Sequence, residues 1–428
     1  MKKNIYPSRI FGKVTAPVSK SVMQRALIAA LLSNRPVVLH HVGYSNDDVF
    51  TTKMVEALGA KVEFLSEGSM RISSNFEQKT FNEKQTILSV GESGLAARMS
   101  AAILALVNHK FVVEGEGTLL KRNLGVPDNV FGELGARFAT KSGRLPFRIK
   151  GPMEAKNITI ESVIGSQFIS GLLMAYSYLD ASDVTIEVKD LRSKPYIDLT
   201  LRVMDDFGMK IPTNKDYKQF YFSKEEHTKP NALEVFEYTI ERDWSNAAML
   251  LVAGAVAGEI EVEGLDLDSN QGDKQILHVL QDVGAQLSIH SDYIKVKTAQ
   301  LKAFHFDATE CPDLFPPLVA LAANCEGVSV IEGVERLKHK ESNRARSLQY
   351  EFGRLGIKIE VVGNQMQITG GPISSAKVKS QNDHRVAMAL AIAGLNAAGR
   401  VEIGDADAVN KSYPYFFADL ESLHAEMD

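Results

Sequence analysis

Six apolar segments rich in small residues recur along the chain and dominate its hydrophobic pattern. Their first residues are Ser21, Ser93, Ser166, Trp244, Asp313 and Asp383. Each segment stays apolar for about three turns, which is typical of a helix buried on all sides. A short β-rich run follows each one, and then a more polar stretch that predicts a second helix. The pattern therefore predicts six units, each with a buried helix, a polar helix and several strands.

A glycine closes the polar stretch in five of these units. The five residues are Gly59, Gly135, Gly208, Gly284 and Gly356, separated by 76, 73, 76 and 72 residues. Glycine directly after a helix is the usual left-handed C-terminal stop. Such regular spacing indicates that the units are repeats of one another.

The repeat also predicts how the chain divides. The first buried segment takes its preceding strand from the N-terminal SRIFGKVTAP, and an N-terminal strand is expected to complete the sixth unit. More than about 250–300 residues rarely share one core, so we expect two lobes of three units. We place one lobe at 15–238 and the other at 1–14 plus 239–428. Crossings near Lys13–Val18 and Phe236–Arg242 would form a hinge. The fold class is α/β, with two similar domains.

Composition restricts the kinds of partner. The formal net charge of −5 argues against general nucleic-acid binding, which needs a broad basic face. The two cysteines, Cys311 and Cys325, favour a reducing compartment. No apolar run approaches the ~20 residues of a membrane span. We expect a soluble, cytoplasmic protein with neither a membrane nor a nucleic-acid partner.

Charged and hydroxyl side chains concentrate where the buried helices begin. Capping explains the Ser and Asp residues among them. It does not explain Arg25, Arg98 and Arg385, because a cation in the first turns opposes the positive end of the helix dipole. Helix N-termini also bind anions. The arginines therefore predict a site for a small substrate with several negative charges.

Further polar residues stand in loops at matching places in the units. They are Lys121–Arg122, Ser193–Lys194, Lys340–Glu341, Arg344 and Lys411. A lone lysine is usually a solvated surface charge. The position that these residues share in the repeat favours a functional interpretation.

Motifs for other chemistries are missing from the sequence. It contains no phosphate-binding G-x-x-x-x-G-K-[ST] loop, no G-x-G-x-x-G after a strand, no H-E-x-x-H and no C-x-x-C. We therefore expect no structural or catalytic metal.

Nine segments in order give the chain a resemblance to the enolpyruvyl transferase family over its whole length. They are VSKSVMQRAL, GESGLAAR, LLKRNLGV, GSQFISGLLM, SKPYIDLTL, CPDLFPPL, KESNR, NDHRVAMAL and KSYP. SKPYIDLTL and NDHR are the most specific. The resemblance implies two domains, each of three pseudo-repeated units in an inside-out α/β barrel, with the active site in the cleft between them. The protein is expected to be a monomer.

The resemblance also implies a reaction. The enolpyruvyl group of phosphoenolpyruvate is transferred to the 5-hydroxyl of shikimate 3-phosphate by addition and elimination, and phosphate is released. This step belongs to chorismate and aromatic amino-acid biosynthesis, and no cofactor takes part. In the family the phosphoenolpyruvate pocket also binds glyphosate.

By position, the resemblance assigns residues to each substrate. Those for shikimate 3-phosphate are Lys20, Ser21, Arg25, Ser166, Gln167, Ser193, Tyr196, Asp313 and Lys340. Those for phosphoenolpyruvate are Lys20, Gly94, Arg122, Gln167, Arg344, Arg385 and Lys411. We expect Asp313 to be the base near the 5-hydroxyl and Glu341 to serve the methylene carbon. Lys20 would shuttle a proton, and His384 would support Glu341 in its role.

Two other functions stay open at this stage. A sister enzyme transfers enolpyruvyl to UDP-N-acetylglucosamine and usually carries a catalytic cysteine in the loop that corresponds to GEGTLLKRNL, where this chain has none. A non-catalytic anion-binding scaffold built on the same repeats is the other. Asp313, Glu341, His384 and the net charge of −5 disfavour it.

Overall fold

The computed structural model describes residues 1–66, 68–161 and 165–428. Within these ranges all six apolar segments form helices. These helices are α1 (Lys20–Leu32), α3 (Gly94–Leu104), α5 (Ser166–Tyr178), α7 (Trp244–Ala257), α9 (Phe315–Ala323) and α11 (His384–Leu395). In α1 every residue from Val22 to Leu32 is buried, and α3 is buried along its whole length. The prediction of helices buried on all sides is confirmed.

The polar stretches form a second series of helices that alternates with the first. They are α2 (Asn46–Ala57), α4 (Asp128–Glu133), α6 (Pro195–Asp206), α8 (Ile276–Asp282), α10 (Arg344–Arg354) and α12 (Phe416–Ser422). The five predicted glycine stops have φ between 67° and 110°. This left-handed region costs glycine little because it has no Cβ, so the predicted stops are confirmed.

Strands fill the space between consecutive helices. In the first half they are β1 (Lys2–Ile5), β2 (Ile10–Thr15), β3 (Val37–His40), β4 (Ala60–Phe64), β5 (Met70–Ser74), β6 (Thr86–Ser89), β7 (Lys110–Glu114), β8 (Arg137–Lys141), β9 (Arg144–Lys150), β10 (Ile158–Ile160), β11 (Val184–Val188), β12 (Thr213–Lys215) and β13 (Gln219–Phe222). In the second half they are β14 (Phe236–Thr239), β15 (Gly258–Glu263), β16 (Gln286–Ile289), β17 (Tyr293–Lys297), β18 (His305–Asp307), β19 (Val328–Glu332), β20 (Lys358–Val362), β21 (Gln365–Thr369), β22 (Lys377–Lys379) and β23 (Val401–Gly404).

The strands form separate sheets with one repeated topology. Their orders are β14-β3-β5-β4, β6-β7-β9-β8, β10-β11-β13-β12, β2-β15-β17-β16, β18-β19-β21-β20 and β1-β23-β22. In the four-stranded sheets one parallel pair is followed by two antiparallel pairs. Each sheet keeps two different edge strands, so none closes among the described residues. The predicted α/β fold class is confirmed.

The partner of the N-terminal strand differs from the prediction. β2 directly precedes α1 but lies parallel to β15, with Ile10 opposite Gly258. The place beside β3 is taken by β14, which directly precedes α7. The two strands have exchanged sheets: SRIFGKVTAP leads into the first buried helix as predicted, but its strand β2 joins the sheet of the fourth unit. β1 pairs with β23, as expected for an N-terminal strand that completes the sixth unit.

The exchanged strands mark a division of the chain into two compact units. The first unit is Met1–Pro17 with Arg242–Asp428, and the second is Val18–Glu241. Each has its own hydrophobic core built around three of the buried helices. The assignment of residues 15–238 and of residues 1–14 plus 239–428 to two domains stays a prediction.

Candidate active site

The start of α1 holds the first group of predicted site residues, in the unit Val18–Glu241. Ser19 is the N-cap, and its hydroxyl accepts a hydrogen bond from the Val22 amide. Lys20 Nζ lies 3.0 Å from Asp47 Oδ2, with 13% of the lysine side chain and 3% of the aspartate side chain exposed. Ser21 is half-buried, and its carbonyl accepts from Arg25 Nη1 at 2.8 Å.

Arg25 is fully buried and is surrounded by neutral oxygen atoms. Nε donates to Thr200 Oγ1 at 2.8 Å, and Nη2 donates to Ser170 Oγ and to the Tyr196 carbonyl at 3.4 and 3.2 Å. Burial without a carboxylate partner lowers the pKa of Arg25 to about 10. With the bond to Ser21, these contacts use four of the five guanidinium N–H groups. One Nη1 hydrogen is left for a ligand.

Arg98 organises the start of α3 and the loop that carries Arg122. Its guanidinium donates to the Leu124 carbonyl at 2.6 Å, to the Asn123 carbonyl at 3.2 Å and to Gln167 Oε1 at 2.7 Å. The sequence pointed to Arg98 as an anion ligand, but the structure uses it to fix a loop and the Gln167 amide. Contacts with backbone carbonyls distinguish the two roles, and a sequence does not show which carbonyls a side chain will reach.

Gly94 lies against two of these cations. A Cβ added at this residue would be 2.8 Å from Arg98 Nη1 and 3.2 Å from both terminal nitrogens of Arg122. The lack of a side chain therefore leaves the Gly94 backbone open to a ligand that also reaches Arg122.

Three further predicted residues lie on or near α5 and α6. Ser166 is the first residue of α5 and is buried, and Ser193 is buried with a positive φ of 61°. Tyr196 is half-buried in the first turn of α6. Its carbonyl accepts from Arg25, which links it to the α1 group, while Ser166 and Ser193 lie outside the contacts described so far.

The other compact unit holds a second group, centred on Asp313. This residue lies in the 3-10 turn Pro312–Leu314 that precedes α9. Its carboxylate is 3.0 Å from Lys340 Nζ, 2.8 Å from Arg344 Nη1 and 3.5 Å from Arg385 Nη2. Burial opposes ionisation, but Arg385, Lys340 and Arg344 outweigh it and hold the pKa of Asp313 well below its usual range. Asp313 is therefore an anion at every physiological pH.

Arg344 joins this group to two more carboxylates. Its Nη2 is 2.5 Å from Glu341 Oε2, and its Nε is 2.9 Å from Asp383 Oδ2. The guanidinium is fully buried, yet Asp383, Glu341 and Asp313 raise its pKa above the usual value. Asp383 also caps α11 by accepting from the Arg385 amide, and the His384 ring lies 3.9 Å from its Oδ1. The first turn of α11 is thus tied to the start of α10.

Lys340 and Lys411 complete the predicted set. Lys340 keeps 23% of its side chain exposed, and burial lowers its pKa although Asp313 opposes the shift. Lys411 is buried at the end of the 3-10 turn Ala406–Lys411 and lies outside the contacts around Asp313 described above.

Three buried aspartates near these groups make contacts that the sequence does not predict, although Asp383 is the cap expected at the start of its helix. They are Asp47 beside Lys20, Asp383 beside Arg344, and Asp273, whose carboxylate accepts from Ser245. Burial, reinforced by the charge of Asp313, raises the pKa of Asp273 to about 7. Aspartate near a helix start is indistinguishable from an ordinary cap in the sequence, so only the contacts reveal these counter-ions.

Neither a metal centre nor a membrane helix emerges from residues 1–66, 68–161 and 165–428. No three His, Cys, Asp or Glu side chains in these ranges are grouped so that they could hold a metal ion. No helix in them is long and apolar enough to cross a membrane.

Comparison with known proteins places the chain in a family. The sequence profile described as EPSP synthase (3-phosphoshikimate 1-carboxyvinyltransferase) matches residues 6–420. A relative in Clostridium novyi named 3-phosphoshikimate 1-carboxyvinyltransferase is 32% identical over 430 residues, which cover 99% of this chain and 98% of the relative. A relative of the same name in Methanosarcina acetivorans is 35% identical over 432 residues, with the same coverage.

Solved structures show the same fold at lower identity. The EPSP synthase from Acinetobacter baumannii superposes with a TM-score of 0.80 at 22% identity and covers 100% of this chain and 99% of its own. The enolpyruvyl transferase NikO from Streptomyces tendae has a TM-score of 0.75 at 16% identity, covering 100% and 98%. With the sequence matches over nearly its whole length, the chain belongs to the EPSP synthase (3-phosphoshikimate 1-carboxyvinyltransferase) family.

Proposed function

We propose that this chain is a transferase that moves the enolpyruvyl group of phosphoenolpyruvate to the 5-hydroxyl of shikimate 3-phosphate and releases inorganic phosphate. The observation that carries the proposal is an ionised carboxylate, Asp313, held among three cations. This carboxylate is unprotonated and can therefore accept a proton, and anionic substrates that draw the three cations away from it would raise its low pKa. Membership of the EPSP synthase family supports the identity of both substrates.

The first substrate would be held largely by the group around α1. Arg25 is a buried cation with neutral partners, so a phosphate would supply the missing counter-charge. The proposed ligands of shikimate 3-phosphate are Lys20, Ser21, Arg25, Ser166, Gln167, Ser193, Tyr196, Asp313 and Lys340. Charge-assisted bonds of this kind are about twice as strong as neutral ones.

The second substrate would use the arginines around Gly94 and Asp313. The proposed ligands of phosphoenolpyruvate are Lys20, Gly94, Arg122, Gln167, Arg344, Arg385 and Lys411. Arg344 already directs four of its five N–H groups to carboxylates. The proposal therefore requires that the substrate take the remaining hydrogen or replace one protein carboxylate, and half-buried Glu341 is the more accessible one because Asp383 is fully buried.

The chemistry follows from the charges of these groups. The 5-hydroxyl loses its proton to Asp313 as it attacks C2 of phosphoenolpyruvate, while the methylene carbon gains a proton from the side of Glu341. Lys20 would carry a proton, and His384 would support Glu341. In the elimination the methyl carbon returns its proton to Glu341 as the double bond re-forms, and the bond from C2 to the phosphate oxygen breaks. The phosphate leaves with the proton that Asp313 had taken, and the arginines stabilise the charge that develops. We propose that groups from both compact units act on one substrate pair.

The transfer to UDP-N-acetylglucosamine finds no support in the cysteines. Cys311 and Cys325 are both buried, and burial raises the pKa of Cys325 to about 12 and raises that of Cys311 further. A buried, protonated thiol is a poor nucleophile.

We further propose that the protein is a cytoplasmic monomer without a nucleic-acid partner, in keeping with its net charge of −5. Light scattering after gel filtration would test the monomer.

One assay tests the proposed function. Phosphate release from phosphoenolpyruvate is followed with shikimate 3-phosphate, with UDP-N-acetylglucosamine and with no acceptor. We expect release with shikimate 3-phosphate alone. Release only with the sugar nucleotide would favour the sister activity, and no release with either acceptor, from a protein that binds both anions, would favour a scaffold.

A further inference from the structure

A cavity of about 200 Å³ lies in the unit Val18–Glu241, at the C-terminal ends of α1, α5 and α6. Leu32, Tyr178 and Phe207 line it, one from the end of each helix. The proposed substrate ligands on α1 and α5 are at the opposite ends of these helices. Because α1 has 13 residues and a helix rises about 1.5 Å per residue, the cavity is about 20 Å from Lys20. It is a separate feature from the candidate active site.

One buried ammonium group lines this cavity. Lys210 is 6% exposed, and its Nζ lies 3.3 Å from Asp180 Oδ1, whose side chain is 52% exposed. A long contact with a carboxylate that is half in water compensates a buried charge only partly. Lys229 lines the same cavity and adds a second ammonium group, and His227 lies beside them.

Aromatic residues form part of the remaining wall, beside polar residues such as Ser33 and Asn34. Phe76, Tyr178 and Phe207 line the cavity, and the Phe76 and Tyr178 rings meet edge to face with centroids 5.5 Å apart. Aromatic side chains favour stacked and edge-to-face contacts with a further ring. An apolar cavity of roughly 150 Å³ is known to admit benzene, so a volume of about 200 Å³ accommodates a six-membered ring with a short substituent.

The charges around the cavity favour a ligand with one negative charge over a dianion. Glu77 lines it together with the last turns of three helices, whose carbonyl ends carry partial negative charge. These groups repel a phosphate dianion. Lysines near helix C-termini also stabilise the helix dipole without any ligand. Stabilisation of the helix dipole requires neither a cavity nor aromatic residues, so it does not explain why a buried ammonium group, a cavity and aromatic side chains occur together.

We propose that this cavity is an accessory binding site for a small aromatic monocarboxylate, whose carboxylate pairs with Lys210 and whose ring packs between Phe76, Tyr178 and Phe207. The ligand would bind independently of the substrates of the proposed reaction.

Titration calorimetry with phenylacetate, on the full-length protein, tests the site. We expect saturable binding with a Kd near 1 mM or tighter, and much weaker binding of 2-phenylethanol, which keeps the ring but has no charge. Acetate, which lacks the ring, should not bind detectably. Saturating shikimate 3-phosphate should leave the phenylacetate affinity unchanged. Displacement by shikimate 3-phosphate would place phenylacetate in the active site and overturn the proposal, as would the absence of saturable binding.

Variants locate the ligand. Lys210→Met removes the ammonium group and keeps the length of the chain, so we expect phenylacetate to bind about tenfold more weakly. Lys218→Met, at an exposed position outside the cavity, is the matched control and should bind as the parent does. If Lys210→Met fails to fold, half-buried Met209→Trp narrows the same cavity and should abolish binding. Unchanged affinity in a folded Lys210→Met or Met209→Trp protein contradicts the assignment.

Discussion

Asp313→Asn separates the proposed role of this carboxylate as a base from a role as a scaffold for the cations. The substitution keeps the size of the side chain and removes its charge. Asp313 lies within 3.5 Å of Lys340, Arg344 and Arg385. If it is the base, its loss removes proton transfer and adds one net positive charge to the site. The two effects act on different kinetic constants.

The structure sets the scale of both effects. General acid–base catalysis contributes about 10²–10⁴-fold, so we expect kcat to fall by that factor. The contact of 3.0 Å with Lys340 corresponds to about 5 kcal/mol of attraction at an effective dielectric constant of 20, before desolvation is counted. Once that attraction is lost, Lys340, Arg385 and one further N–H group of Arg344 can turn to an anionic ligand. The KM for phosphoenolpyruvate should therefore stay constant or fall.

Steady-state kinetics with both substrates varied measures the two constants, and titration calorimetry with shikimate 3-phosphate checks that the site is intact. Asp292→Asn, an exposed carboxylate in the same compact unit, is the control and should be kinetically silent. A large rise in KM for phosphoenolpyruvate with kcat unchanged would refute the reasoning, because it would show that Asp313 holds the cations in place and takes no proton.

Three further perturbations test other parts of the structure. Asp383→Asn keeps the α11 cap but removes a fully buried charged partner of Arg344. We therefore expect the free energy of unfolding in urea to fall by about 3 kcal/mol. An unchanged urea midpoint would mean that the other carboxylates suffice to compensate the charge of Arg344. Gly94→Ala places a methyl group 3.2 Å from the Arg122 guanidinium. We therefore expect the KM for phosphoenolpyruvate to rise several-fold, while the KM for shikimate 3-phosphate hardly changes. Equal changes in both KM values would contradict the assignment of Gly94 to the phosphoenolpyruvate site. Burial raises the pKa of Asp48 from 3.8 to about 7. The native state therefore holds this proton more tightly, and stability falls by up to about 4 kcal/mol as pH rises from 4 through 7. Asp48→Asn should accordingly be more stabilising, relative to the parent, at pH 8 than at pH 5 in urea unfolding, and an equal effect at both would exclude this titration.

The helices of this fold could be predicted because each carries its own local signal. Small apolar residues without polar interruption identify α7 and α11 as buried, and a glycine such as Gly284 stops the helix that precedes it. Strand partners have no such signal. β2 and β14 are both short alternating strands directly before a buried helix, so the sequence cannot tell which sheet each one joins.

The candidate site was predictable to a similar extent. Charge at helix starts pointed to Arg25, Arg98 and Arg385, since cations there need an explanation. Their partners could not be foreseen. Arg98 contacts the carbonyls of Asn123 and Leu124, which any residue would supply, and Arg25 lies among hydroxyls from two other helices.

The exchange of β2 and β14 imposes an order on folding. The segment Val18–Glu241 contains every strand of its own three sheets, so it can form as soon as it leaves the ribosome. β2 has to wait for β15, because Ile10 and Gly258 are 248 residues apart, and β1 has to wait for β23. β1 and β2 are thus synthesised long before the strands with which they pair. During translation their backbone edges therefore stay unpaired until β15 and β23 have been made.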